Sequence, residues 1–177
     1  MNLANKLTLL RVFMIPFFLL VLYFGTSQTA NYVAAIIFIV ASLTDFLDGY
    51  IARSRNLVTN FGKFMDPLAD KLLVTAALIY FVEVGRLSAI VVIIIVSREF
   101  IISGFRLVAA LDNKVIAASI WGKIKTFSTM IMIIVLLFNF EGKMIDGIEW
   151  ILVVFATIFT IVSALDYIIK NISIFHE

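Results

Sequence analysis

Cysteine is absent from the 177 residues, and histidine occurs once, as His176. The first absence excludes a disulfide framework and any thiolate metal site. The second makes histidine-rich metal chemistry untenable. Charge is also scarce: 15% of residues are Asp, Glu, Lys or Arg, 63% are hydrophobic, and mean hydropathy is +1.11. Soluble domains average about 25% charged and about 45–50% apolar residues. The surplus exceeds what one buried core absorbs, so the surrounding solvent is read as lipid. Any metal in such a chain must be held by oxygen, which favours hard cations such as Mg²⁺ or Mn²⁺. The net charge of +2 says little. Where the charges sit says more.

A membrane-crossing helix takes roughly 20 apolar residues. Six segments qualify: about Leu7–Phe24, Tyr32–Ile51, Phe64–Val84, Leu87–Leu111, Trp121–Phe140 and Ile148–Ile169. The expected fold is therefore all-α and integral to the membrane, with six transmembrane helices and both termini on one side. The first run shows no small-residue cleavage site and reads as a retained helix rather than a signal peptide. Ahead of it, Met1–Arg11 mixes Leu3 and Leu7 with Asn2, Asn5 and Lys6. That stretch reads either as a short interfacial helix or as the ragged start of the first crossing. Connections are short, there is no low-complexity tract or repeat, and residues 1–177 read as a single membrane domain. Glu141-Gly142-Lys143 and Asp146-Gly147 read as plain loop.

Twelve of the 14 Lys and Arg fall at or near one set of helix ends: Lys6, Arg11, Arg53, Arg55, Lys63, Lys71, Arg98, Arg106, Lys114, Lys123, Lys125 and Lys170. Arg86 and Lys143 fall at the other. By the positive-inside rule the rich side is cytoplasmic.

Four carboxylates gather on that side. Asp45 and Asp48 are three residues apart and Asp66 and Asp70 four apart, so each pair shares a helix face. An antiparallel helix pair joined by a short loop brings the two faces together. Carboxylates converging at membrane depth repel unless cations lie between them, and intramembrane ionisable groups are functional candidates by default. Two divalent ions would balance them, and a two-metal clamp suits displacement at phosphorus. Gly49, Ala52 and Gly62 keep the surroundings small. Arg53 offers a forked donor to phosphate oxygens, and Pro67 suits the first turn of a helix. A lone Asp at a helix end is more often a cap. A carboxylate pair also fits a divalent-cation carrier, but a carrier needs polar residues at several depths, and here the acids cluster at one end.

The pattern D-x-x-D-G-x-x-A-R-x₈-G-x-x-x-D-x-x-x-D, carried by Asp45, Asp48, Gly49, Ala52, Arg53, Gly62, Asp66 and Asp70, resembles the signature of CDP-alcohol phosphatidyltransferases. The resemblance implies that Asp45 and Asp66 touch both metals, Asp48 one, and Asp70 the second while serving as general base. It also implies that Gly49, Ala52, Arg53, Thr59 and Gly62 form the site of the CDP-lipid. Asn5-Lys6-Leu7-Thr8-Leu9-Leu10-Arg11 looks like the family's N-x-x-T-x-x-R stretch and places Thr8 and Arg11 near the nucleotide or diphosphate.

The other basic cluster, Arg98, Arg106, Lys123 and Lys125 with one carboxylate, Glu99, reads as a site for an anionic small molecule. Topology-setting charge is the bland alternative, but Ser97-Arg98-Glu99-Phe100 lies inside an apolar run where loose charge is costly. Arg98 and Glu99 are adjacent and off one another's face, so an ion pair between them is expected to be distorted. Ser97–Phe100 with Gly104-Phe105-Arg106, and Trp121-Gly122-Lys123-Ile124-Lys125-Thr126, look like segments of bacterial phosphatidylglycerophosphate synthases. That likeness implies CDP-diacylglycerol as donor, glycerol 3-phosphate as acceptor and a homodimer in the bacterial cell membrane. It also implies a cytoplasm-facing site and no nucleic-acid partner. A cardiolipin-synthase-like or inositol-phosphate-transferring member is the alternative within the class.

Overall fold

A computed structural model describes residues 3–54, 60–111 and 119–171, with side chains over 8–44, 68–109 and 119–171. Among the described residues there are six helices: α1 (Leu3–Phe24), α2 (Gln28–Ser54), α3 (Asn60–Glu83), α4 (Ala89–Leu111), α5 (Ile120–Phe138) and α6 (Lys143–Lys170). Each apolar run of the sequence lies on one of them. Serine marks three helix starts. The Ser27 hydroxyl accepts from the Ala30 amide (3.3 Å), Ser88 from Ile90 (3.3 Å) and Ser119 from Gly122 (3.1 Å). Each satisfies an amide that the first turn leaves without an intrahelical acceptor. The α1–α2 turn requires glycine, since a Cβ on Gly25 would lie 2.2 Å from the Ala30 Cβ. Gly85, at φ +72°, ends α3 with its amide on the Val82 carbonyl, the left-handed stop that a side chain disfavours.

Three local expectations change. The N-terminal stretch is continuous with the first helix from Leu3, with no break between an interfacial piece and a crossing. The sixth helix starts at Lys143, so Asp146 and Gly147 belong to its first turns rather than to a loop. Asp146 there faces the positive end of the helix dipole, where an acid is favoured. Pro67 lies inside α3, which begins at Asn60. Membrane helices accept interior proline because neighbouring groups satisfy the carbonyl it frees.

The chain forms two compact units, Met1–Phe81 with Ile134–Asn139, and Val82–Ile133 with Phe140–Glu177. In the first, α1 and α2 form an antiparallel hairpin. Phe18 packs on Phe38 with ring centroids 6.1 Å apart, and buried Ala34, Ala35 and Ala41 let the backbones approach, as small residues do between membrane helices. Tyr23 of α1 meets Tyr80 of α3 edge-on at 5.5 Å. Gln28 donates to the carbonyl of Phe138 (2.6 Å), covering an acceptor at the C-terminal end of α5.

In the second unit α4 and α6 run parallel. Arg86 bonds both carboxylate oxygens of Glu149 at 2.6 Å, Arg98 reaches Ser163, and Phe105 packs near Tyr167. From α5, Trp121 stacks on Phe159 at 5.9 Å.

By length and composition, α5 and α6 are long and apolar enough to cross a membrane. Only 17% of the apolar window of α6 is buried within the chain. Phe13, Phe17, Phe24, Ile90, Ile93 and Trp150 are all more than 60% exposed. An exposed apolar surface of that extent marks a face that meets lipid or another protein.

Candidate functional site

The aspartate motif straddles the end of α2 and the start of α3. Both helices are continuous through it, so Asp45 and Asp48, and likewise Asp66 and Asp70, stand one helical turn apart. Side chains of Asp45, Asp48, Gly49, Ala52, Arg53, Gly62 and Asp66 lie outside the described residues, as does Thr59 altogether. Asp70 is partly buried on α3, directly after the fully buried Ala69. As a donor set, four carboxylates supply only hard, anionic oxygens, which suits Mg²⁺ or Mn²⁺ and no soft metal.

Thr8 and Arg11 of α1 are buried in the hairpin, with 0% and 1% exposure. The Arg11 Nε donates to the carbonyl of Ala41 at 3.2 Å, and the Thr44 hydroxyl donates to the same oxygen at 2.7 Å. Ala41 precedes Asp45 by about one turn, roughly 6 Å along the helix. The structure thus ties the N-terminal motif of α1 to the stretch of α2 that leads into the aspartates.

The basic residues of the other unit separate into two kinds. Arg98 and Lys125 are brought together, whereas Arg106 and Lys123 are exposed. Lys125, 3% exposed, bonds the Glu99 carboxylate. Arg98 Nη1 donates to the same Glu99 oxygen at 3.0 Å, and its Nε donates to the Ser163 hydroxyl at 3.0 Å. The Arg98–Glu99 pair is therefore well formed. Neighbours on a helix point about 100° apart, but the long arginine stem bends back around the turn to reach. Arg98 also borders a largely apolar groove of about 230 Å³ between α4 and α6, walled by Ile94, Ile101, Ile161 and Leu165. The guanidinium of Arg106 lies 5.9 Å from the ring centroid of Tyr167, within cation–π range.

Sequence reasoning passed over Ser163, Tyr167 and the joining role of Glu99. Ser163 and Thr160 are buried hydroxyls in an otherwise apolar helix, and a hydroxyl one helix away from an intramembrane arginine was the available signal.

The sequence profile of CDP-alcohol phosphatidyltransferases matches residues 1–162, a span that runs through both units. The chain belongs to the CDP-alcohol phosphatidyltransferase family. Among its relatives, CDP-diacylglycerol–glycerol-3-phosphate 3-phosphatidyltransferase of Bacillus subtilis is 46% identical, covering 96% of this chain and 95% of its own. The Haemophilus influenzae protein of the same name is 40% identical over 94% and 91%. A probable phosphatidylglycerophosphate synthase of Mycobacterium tuberculosis is 39% identical over 96% and 81%.

Proposed function

We infer that this chain transfers the phosphatidyl group of CDP-diacylglycerol to glycerol 3-phosphate, giving phosphatidylglycerol phosphate and CMP. The observation that carries this reading is the near-full-length identity, up to 46%, to enzymes named for that reaction, with all eight motif residues present.

The four aspartates would hold divalent metal, two Mg²⁺ or Mn²⁺ ions, which would supply charge neutralisation of the diphosphate and polarisation of phosphorus. Asp70 accepts the proton of the acceptor's C1 hydroxyl. That oxygen forms the new bond to the phosphorus bearing diacylglycerol. The bond from this phosphorus to the bridging oxygen of the diphosphate breaks, and CMP departs with the bonding electrons. Arg53 offsets the charge growing on the departing phosphate, while Gly49, Ala52, Thr59 and Gly62, with Thr8 and Arg11, shape the donor site. Arg98, Arg106, Lys123 and Lys125 bind the acceptor's phosphate. Lys125 is buried and Arg98 partly buried, both paired with Glu99, and the other two are exposed, an arrangement that suits a site with a fixed floor and an open entrance. No covalent enzyme intermediate is needed.

The enzyme works as one membrane domain with six crossings, both termini and the active site on the cytoplasmic side of the bacterial cell membrane, and as a homodimer. The parallel α4 and α6 support the crossings, since helices two apart must run the same way.

The test is purified full-length protein with CDP-diacylglycerol and a panel of alcohols: glycerol 3-phosphate, inositol phosphate, phosphatidylglycerol, glycerol and serine. CMP release with glycerol 3-phosphate, lost on chelation and regained with Mg²⁺ or Mn²⁺, is the expected outcome. Release with another alcohol and none with glycerol 3-phosphate would overturn the acceptor assignment.

A further inference from the structure

We infer that Glu99 is a positioning residue for the acceptor: it holds Arg98 and Lys125 in the charged, fixed arrangement that receives the substrate phosphate. This rests on the acceptor reading of the basic cluster.

Lys125 is 3% exposed, and the Arg98 side chain is 11% exposed beside an apolar groove. A cation so buried is costly unless an anion compensates it. Glu99 supplies that anion. One of its oxygens takes Lys125 from α5 and Arg98 Nη1 from its own helix. From the opposite side, α6 presents the Ser163 hydroxyl to Arg98 Nε, and Ser163 donates onward to the Thr160 carbonyl at 3.2 Å. Two edges of the guanidinium plane are thereby fixed by α4 and α6. Its remaining amino group, Nη2, has no partner among the described residues. It faces the first turn of α5, where a Cβ built on Gly122 would lie 3.5 Å away.

The charge arithmetic agrees. Two cations and one carboxylate leave a net +1, the sign that a phosphate monoester requires. A carboxylate placed only to weaken anion binding would have no need to touch both buried cations. Fixing the donors beforehand spares the ordering cost that flexible side chains incur on binding. Glu99 therefore acts through its neighbours, without touching the substrate.

The experiment is steady-state kinetics of full-length Glu99→Gln in detergent–lipid micelles. The KM for glycerol 3-phosphate is expected to rise about tenfold or more, the loss typical of one charge-assisted hydrogen bond, while the KM for CDP-diacylglycerol stays within about twofold of its starting value. Glu99→Asp, which keeps the charge, falls between. The double variant Glu99→Gln/Lys125→Met removes both charges and leaves no unpaired buried amine, so it remains measurable if the single variant does not fold. Its acceptor KM should exceed that of Lys125→Met alone by less than the factor Glu99→Gln produces by itself, because only the hold on Arg98 is left to lose. An unchanged or lowered acceptor KM in Glu99→Gln, or multiplied effects in the double variant, overturns the inference. Arg98→Ala separates the two levels. If it too leaves the acceptor KM unchanged, the acceptor reading of the cluster fails. If it raises that KM and Glu99→Gln does not, only the role of Glu99 fails.

Discussion

Asp70 and Arg106 carry separate roles in the proposed reaction, and each can be tested by itself. Asp70 follows a fully buried alanine on α3, so its backbone is anchored by packing that a change at the carboxylate does not disturb. Asp70→Asn should keep the fold and part of the donor affinity while turnover drops by at least about 10²–10⁴-fold, the usual scale for a lost general base. CMP release and equilibrium binding of CDP-diacylglycerol check the two halves separately. Asp45→Asn should in addition raise the Mg²⁺ concentration needed for half-maximal rate. Normal turnover in either variant would undo the assignment. Arg106 is exposed and rests over Tyr167, so Arg106→Ala costs little stability. It should raise the KM for glycerol 3-phosphate more than that for CDP-diacylglycerol. Equal increases would argue against a phosphate contact.

At the scale of elements, the parallel α4 and α6 are joined near both ends. The N-terminal join is Arg86 with Glu149, whose side chains are 23% and 13% exposed. It lies far along both helices from Arg98 and Ser163, so it bears on stability rather than on chemistry. Glu149→Gln should lower the stability of the purified protein by about 1.5–3 kcal/mol, as for a lost hydrogen bond between charged groups. It should leave both KM values unchanged at permissive temperature. Thermal unfolding in detergent, read beside the kinetics, tests both parts; a shifted acceptor KM would show that the join also sets the geometry of the cluster.

For the whole molecule, the absence of cysteine makes topology directly measurable, because any introduced thiol is unique. Lys143, exposed at the start of α6, and Asn171, at its end, should lie on opposite faces of the membrane. In intact cells, a membrane-impermeant maleimide should label Lys143→Cys from outside and reach Asn171→Cys only after lysis. Labelling of both, or of Asn171→Cys alone, would reject the proposed orientation.

Apolar run lengths determined where the helices lie, because a segment surrounded by lipid must satisfy its own backbone and does so as a helix. The sequence also determined the aspartate motif, whose residues are close along the chain and whose spacing is that of the helix itself. The ends of α3 and α6 were less legible, since Pro67 and Asp146-Gly147 carry local preferences that the surrounding helix overrides. Only the tertiary structure decided the arrangement of the basic cluster. Glu99, Lys125 and Ser163 come from three helices and are separated by 26 residues or more, and no periodicity reports which side chains meet across such distances. The four cations looked equivalent in sequence. The fold paired buried Lys125 and partly buried Arg98 with Glu99 and left Arg106 and Lys123 exposed, because a buried charge must be compensated by a neighbour and an exposed one is compensated by water.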